Sequence, residues 1–473
     1  MKTYAVYLNG ELVRGGEALD VINPGTGEPF AKMATLARDD VAAAIGNANE
    51  AFAAWRSTTA KARGGHLRRV AAAVTARGDE IARLMGAETG KPLEQARAEV
   101  AMSVDHLEWF AEECRRTYGR IIPHQVDGKR NLVVRTPVGV VAAISPWNFP
   151  LMLAVRKVAP ALAAGCPVIL KPARLAPLSC AVFAECVHEA GLPKGVFQLV
   201  CGPSEEFGAE FLSNPRCRKV TFTGSTEVGR WLIRAASETV KPLSLELGGQ
   251  AAALVFADAD MRTAVEGVLA AKMRNTGQSC IAANRIYVEG KIYRQFLGAF
   301  TDRVRSLKVG MYDEPDVDIG PLIEEAAVSR VTSHIDDAVG RGARLLCGGG
   351  RMDRAGYFVE PTVLADVPGD ALCMREETFG PLAPMAAFET EEEAIRLANG
   401  TECGLSAYAF TRDAARLFRL AESIEAGMIG INDGVPTTSN APFGGVKFSG
   451  WGRELASEGI DAFLDTKHVS IRI

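Results

Sequence analysis

Apolar and polar residues along the chain follow two different rhythms. Val41, Ile45, Ala48 and Phe52 recur at helical spacing after Asp39, and similar runs cover Leu67 to Met85 and Val100 to Phe110. With charged residues on the opposite faces, these runs predict amphipathic helices between Asp39 and about Arg120. The opening, up to Pro24-Gly25-Thr26-Gly27, reads as short strands and turns. At Lys129 the texture changes. Asn131 to Val141 predicts two short strands around a Pro-Gly bend. Strand-like apolar runs then alternate with helical ones: Val140–Ile144, a helix from Leu151, Val168–Lys171, a helix from Leu178, Phe197–Val200, a helix near Glu205, Lys219–Thr223 and a helix from Val228. This alternation predicts a parallel sheet with helices on both faces, a setting for dinucleotide binding.

A second alternating series follows: Ala252–Phe256, a helix over Ala264–Met273, Arg285–Glu289, a helix from Tyr293, helices near Val328–Val339 and Glu391–Gly400, and a strand at Ser406–Phe410. It predicts a second α/β domain that carries chemistry. The tail from Thr466 to Ile473 alternates as one strand, which needs a partner edge that a neighbouring subunit could supply.

Length agrees with this division, since 473 residues exceed what one hydrophobic core serves. The net charge of −4 and the lack of any long basic tract argue against nucleic acid as a partner. The longest apolar stretch, Val138 to Leu170, is broken by Pro146, Pro150, Arg156, Lys157, Pro160 and Gly165, so no membrane-spanning helix is expected. Met1-Lys2-Thr3-Tyr4 does not open a signal peptide, and a cytoplasmic protein is the expectation. Ten cysteines without a CxxC pair, and six scattered histidines, predict neither a disulfide framework nor a metal site. Most of these thiols should be buried and inert.

Common nucleotide and hydrolase signatures are missing. Gly86-Ala87-Glu88-Thr89-Gly90-Lys91-Pro92 has the wrong spacing and last residue for a phosphate loop, and neither GxGxxG nor GxSxG occurs in context. Gly348-Gly349-Gly350 reads as a plain loop. Five other segments stand out: Pro146-Trp147-Asn148-Phe149-Pro150, Phe222-Thr223-Gly224-Ser225-Thr226-Glu227-Val228-Gly229, Leu245-Glu246-Leu247-Gly248-Gly249, Gly277-Gln278-Ser279-Cys280 and Glu376-Glu377-Thr378-Phe379-Gly380-Pro381. Together, and in this order, they resemble the aldehyde dehydrogenase superfamily along nearly the whole chain.

The resemblance implies a Rossmann-like dinucleotide-binding domain (1–122 and 142–245), a second α/β catalytic domain (246–446) and a small β oligomerisation element (123–141 and 455–473). It implies a homodimer or homotetramer, with Leu132–Val141 similar to the family's oligomerisation hairpin.

Cys280 lies among Gly, Gln and Ser, a setting that favours access over packing. A thiolate there can attack an aldehyde carbon and leave a thioester after oxidation. Glu246, between apolar residues and two glycines, is on its own terms equally a paired structural charge or a base of raised pKa; the resemblance makes it the base for the hydrolytic water. Asn148 could cap a helix, whereas the resemblance implies that its amide, with the Cys280 N–H, forms an oxyanion hole.

Lys171 ends an apolar strand and could be merely solvated; the resemblance implies contact with an adenosine ribose. Where NAD-preferring members commonly carry a glutamate, Arg174 stands, which favours NADP over NAD by pairing with a 2′-phosphate. Gly224 and Ser225 would meet the pyrophosphate at a helix N-terminus, Glu377 would hold the nicotinamide ribose, and Trp147, Leu247 and Phe379 would line the same site.

For the substrate, Arg156 interrupts an apolar helix, which is costly unless it is paired; a salt bridge at an interface is its other reading. Arg285 follows five residues after Cys280, and Thr437 precedes Ala441-Pro442-Phe443. Converging, these three would bind an anionic tail, a combination similar to that of succinate-semialdehyde dehydrogenases. Two departures are Thr437 in place of a loop serine and Ala282 in place of a second cysteine. Enzymes for lactaldehyde, sulfolactaldehyde or phosphonoacetaldehyde also use an arginine near Arg156. A CoA-acylating enzyme would typically lack Glu246, and a catalytically silent relative would lack Cys280.

Overall fold

In a computed structural model describing residues 1–473, the chain forms two large sheets, each covered by helices on both faces. Five strands at the centre of the first are parallel, in the spatial order Leu243–Glu246, Cys217–Thr223, Val140–Ile144, Val168–Lys171, Phe197–Leu199. Strands buried on both faces read as continuous apolar runs, which is why Val168–Lys171 is legible in the sequence. The chain starts this unit at its middle strand, builds outward to Phe197–Leu199, then crosses back to Cys217–Thr223. That reversal opens a crevice at the carboxyl ends of the strands, where such sheets bind ligands.

The second sheet has seven strands, in the order Arg344–Cys347, Thr362–Ala365, Leu382–Phe388, Ala283–Glu289, Ala251–Val255, Ser406–Phe410, Met428–Ile431. All but the first run parallel. No helix is long and apolar enough to cross a membrane.

Three sequence expectations need correction. The run Leu67 to Met85 is two helices, Ala60–Ala76 and Gly78–Thr89, broken at Arg77. Both halves face one core, so the apolar rhythm continues across the break; Arg77 instead ties the junction to Glu80 and Glu185. Leu132–Val141 is not a hairpin. Lys129–Pro137 pairs with Arg120–Ile122 and Leu464–Arg472 in a small antiparallel sheet, while Val140–Ile144 enters the first large sheet. The C-terminal strand therefore finds its partner within its own chain, in register from Leu464 opposite Pro137 to Arg472 opposite Lys129.

Candidate functional site

The turns after three parallel strands deliver most of the predicted residues to one crevice. Val140–Ile144 runs into Trp147 and Asn148, Cys217–Thr223 into Gly224 and Ser225, and Leu243–Glu246 ends at Glu246 itself. Cys280 comes from the second half of the chain and lies half-buried between two cavities. One is largely apolar and holds Arg156, Arg274, Tyr408 and Thr437. The other, a wider cleft, holds Trp147, Ser225, Glu377 and Phe379. Of the remaining cysteines, all but Cys347 and Cys403 are buried in the cores, and none is disulfide-bonded.

The backbone before Cys280 is unusual. Asn275, Thr276 and Gly277 take φ of 54°, 57° and 71° in succession. A β-branched residue such as Thr276 is strained there, and surrounding bonds hold it: Thr276 Oγ1 accepts from Gly320 N at 3.0 Å, and Asn275 N donates to Gln95 Oε1 at 2.8 Å. Asn148 Nδ2 donates to the Gln278 carbonyl at 3.1 Å. One of its N–H groups is thus fixed two residues before the thiol, which leaves the other beside the cleft. The Cys280 N–H meets no backbone carbonyl. On the far side, Tyr408 Oη donates to the Ile281 carbonyl at 2.6 Å and anchors the residue after the nucleophile. The arrangement suits an oxyanion hole. Burial, with Glu377 and Glu246 nearby, pushes the Cys280 thiol up to about 12, whereas Arg156 and its own N–H favour the thiolate.

Glu246 is 3% exposed and its Oε2 has no partner. Burial and the neighbouring Glu454 carboxylate raise its pKa well above the usual range, and Lys157 and Arg156 oppose this. Lys157 Nζ pairs with Glu454 and donates to Thr223 Oγ1 at 2.6 Å. A buried carboxyl of raised pKa, with the Lys157–Glu454 pair close by, is suited to take up a proton. Sequence reasoning missed Lys157 and Glu454. Lys157 carried the same signal as Arg156, a charge inside an apolar helix; Glu454 carried none.

The residues of the cleft fit a dinucleotide. Ser225 caps the helix Thr226–Ser237, accepting from Val228 N, and with Gly224 lines the cleft at that helix N-terminus. A side chain on Gly248 would come within 3.1 Å of Glu377 Oε2, so the backbone is bare where a ligand must lie close. Glu377 Oε1 accepts from Gly249 N at 3.1 Å, and burial raises its carboxyl to about 7. Trp147 and Phe379 meet edge to face, 5.5 Å between ring centres. Lys171 is buried, donates to Ser204 Oγ at 2.8 Å and is lowered to about 8 by burial. Arg174 is exposed close by and forms no ion pair.

On the substrate side, Arg156 is 1% exposed but has no carboxylate partner. Its Nε is unpartnered, Nη2 reaches only the Met152 sulfur at 3.7 Å, and the guanidinium lies 4.4 Å over the Phe443 ring. The reading of Arg156 as half of a salt bridge therefore fails. Thr437 Oγ1 is likewise buried and unpartnered. Arg285 is a correction. It lines neither cavity beside Cys280, and four of its five N–H groups donate to the carbonyls of Gln250, Leu397 and Ala398 at 2.8–3.0 Å. The second cation in the cavity is Arg274, which lies 5.3 Å over the Phe149 ring and forms no ion pair. It precedes Cys280 by six residues, one more than separate Cys280 from Arg285 on the other side.

Comparison with known proteins agrees with this geometry. Residues 13–469 match the aldehyde dehydrogenase family. The chain is 47% identical over 467 residues to the NADP(+) succinate-semialdehyde dehydrogenase GabD of Escherichia coli K12, covering 98% of this chain and 97% of that protein. It is 46% identical over 467 residues to the glutarate-semialdehyde dehydrogenase of Pseudomonas aeruginosa, with the same coverage. A solved NADP-dependent enzyme of E. coli superimposes with a TM-score of 0.98 at 46% identity, covering 100% of this chain and 98% of that one. With the family match spanning residues 13–469 and relatives this similar over nearly the whole chain, the chain belongs to the aldehyde dehydrogenase family.

Proposed function

We propose that this protein oxidises a short aldehyde with a carboxylate at its far end, succinate semialdehyde first among candidates, to the dicarboxylate, with NADP preferred over NAD. The carrying observation is the pair Arg156 and Arg274, two cations without carboxylate partners in the Cys280 cavity. A buried, unpaired guanidinium is costly, and an anionic ligand would offset that cost. Thr437 Oγ1 adds a donor without a partner. The similarity to succinate- and glutarate-semialdehyde dehydrogenases supports the same substrate class.

In this reading the aldehyde's carboxylate sits on Arg156, Arg274 and Thr437, and its carbonyl carbon is presented to Cys280 Sγ. The thiolate adds to that carbon. The free Asn148 N–H and the Cys280 N–H receive the negative charge developing on oxygen. Glu377, Ser225, Gly224, Leu247, Trp147 and Phe379 would hold NADP, with Lys171 and Arg174 at the adenosine end; when bound it would favour the thiolate by its positive charge and would accept the hydride released as the former aldehyde C–H bond breaks and the thioester forms. Glu246 then takes a proton from water, the hydroxide adds to the thioester carbonyl, and the C–S bond breaks to give the carboxylate and free Cys280. Lys157 and Glu454 lie behind Glu246 to carry that proton away. Glu246 argues for water, rather than CoA, as acyl acceptor.

Ile121, Ile122 and Ile471 lie exposed on the small antiparallel sheet. Such a patch supports a homodimer or homotetramer built on that sheet. The substrate is tested by comparing kcat/KM for succinate and glutarate semialdehydes, lactaldehyde and sulfonated or phosphonated aldehydes with neutral aldehydes of equal length, each with NADP and NAD. Equal values for charged and neutral aldehydes would reject the reading.

A further inference from the structure

Two charged side chains lie buried beneath the oxyanion donor and have no part in the chemistry above. Lys91 ends the Gly86–Lys91 stretch that failed as a phosphate loop, and Glu99 projects from the helix Leu93–Glu113. Their side chains are 0% and 1% exposed and form an ion pair. Attraction alone does not offset the desolvation of such a pair, so its remaining bonds matter. Lys91 Nζ donates to the backbone carbonyl of Asn148 at 3.0 Å. Glu99 Oε1 accepts from the N–H groups of Leu151 and Met152, both at 3.1 Å.

The helix Pro150–Ala164 needs that carboxylate. It begins with a proline, and Phe149 before it provides no side-chain cap. Glu99 therefore caps it from a different helix. One ion pair thus grips the chain on both sides of the Asn148–Pro150 turn. Asn275 Nδ2 adds a second donor to the Asn148 carbonyl at 3.0 Å, and the Lys91 ammonium lies 4.0 Å over the ring of Phe149.

We infer that Lys91, braced by Glu99, is a positioning residue for the oxyanion hole: it fixes the Asn148 backbone, so that the side-chain amide keeps one N–H on Gln278 and the other free for the substrate oxygen. An asparagine amide has only two side-chain torsions, and with one N–H already committed its aim is set by where its Cα is held. Misplacement by about 1 Å is enough to lose a hundredfold in rate. Glu88, three residues before Lys91, acts in the same way on another helix. Its carboxylate accepts from Leu178 N and Ser179 N at the start of Leu178–Glu189. The Gly86–Lys91 segment thus holds the Asn148 carbonyl through Lys91 and the start of the helix Leu178–Glu189 through Glu88.

The inference rests on Asn148 serving as oxyanion donor, so the experiment separates the two ideas. Lys91→Met leaves Glu99 charged and unpaired; Lys91→Met/Glu99→Gln removes both charges and is measured beside it. For each, for Asn148→Ala, and for the triple combination, kcat/KM for succinate semialdehyde is measured with saturating NADP, and the NADP dissociation constant by protein fluorescence. Asn148→Ala should lower kcat/KM by about a hundredfold. The folded Lys91 variants should lose at least about tenfold with NADP binding unchanged, and adding the Lys91→Met/Glu99→Gln pair to Asn148→Ala should cost less than about twofold more. Full activity in Asn148→Ala would overturn the oxyanion role and this inference with it. A slow Asn148→Ala combined with wild-type activity in the charge-free double variant, or with losses that multiply in the triple, would overturn the inference alone.

Discussion

The Arg156 guanidinium lies 4.4 Å over the ring of Phe443, and no carboxylate pairs with it although it is almost fully buried. Phe443 is held for this by a two-way backbone bridge to Glu454, Phe443 N to Glu454 O at 2.8 Å and the reverse bond at 2.7 Å. The same bridge sets Glu454 against Lys157. The floor of the acyl cavity and the groups behind Glu246 are therefore one piece of structure. Arg156→Met and Arg274→Met should each raise KM for succinate semialdehyde by about tenfold to a hundredfold, the value of a hydrogen-bonded charge. KM for a neutral aldehyde of equal length should change by less than about threefold. Equal shifts for both aldehydes would remove the anion site from the account.

Arg285 should behave in the opposite way. Its guanidinium satisfies three backbone carbonyls, two of them at the end of the helix Glu391–Asn399. Arg285→Met should destabilise the fold by about 2–4 kcal/mol through those unpaired carbonyls. Denaturant unfolding reads that loss, and the folded variant should keep the wild-type ratio of kcat/KM between charged and neutral aldehydes. A selective loss for the anionic aldehyde would return Arg285 to the substrate site.

Glu246 predicts the pH dependence of hydrolysis. Its raised pKa keeps the carboxyl protonated, and unable to act as a base, until pH climbs through that value. Steady-state kcat should accordingly rise with pH across the neutral and alkaline range. In Glu246→Gln the steady state should collapse, while a burst of about one NADPH per active site survives, because thioester formation does not need the base. An unchanged steady state in that variant would transfer the base role elsewhere.

The thiol predicts a second pH effect, again from burial and negative neighbours. Glu377 and Glu246 add to burial in holding Cys280 protonated, up to about 12. In the free enzyme its alkylation by iodoacetamide, followed on the Cys280 peptide, should climb about tenfold per pH unit between about pH 7 and 9, tracking the thiolate fraction. Glu377→Gln removes a negative neighbour and should speed alkylation at any one pH in that range. A plateau near pH 8 would show a thiol already ionised without cofactor.

Much of this was legible in the chain because local signals sufficed. Val168–Lys171 and Ser406–Phe410 are strands within the residues that their apolar runs mark. Cys280 and Ser225 stand among small and polar neighbours, Asn148 stands between two aromatic residues and two prolines, and Glu377 opens the Thr378-Phe379-Gly380-Pro381 run. The failures share a physical cause, which is that the partner lies far away in sequence. Lys157 meets Glu454 across 297 residues, and Lys91 meets Asn148 across 57. Arg274 and Arg285 flank Cys280 almost symmetrically in sequence. Only the left-handed turn through Asn275, Thr276 and Gly277, and the strand that follows Cys280, decide that the first faces the cavity and the second does not.

The central claim is that Cys280 carries the acyl group of an anionic aldehyde. Glu246→Gln, mixed with succinate semialdehyde and NADP and quenched in acid, should hold that group as a thioester. Peptide mass spectrometry should then place a succinyl adduct on Cys280 in about one equivalent per active site and on none of the other nine cysteines. NADPH formed in the burst with Cys280 unmodified, or an adduct on a different residue, would contradict it.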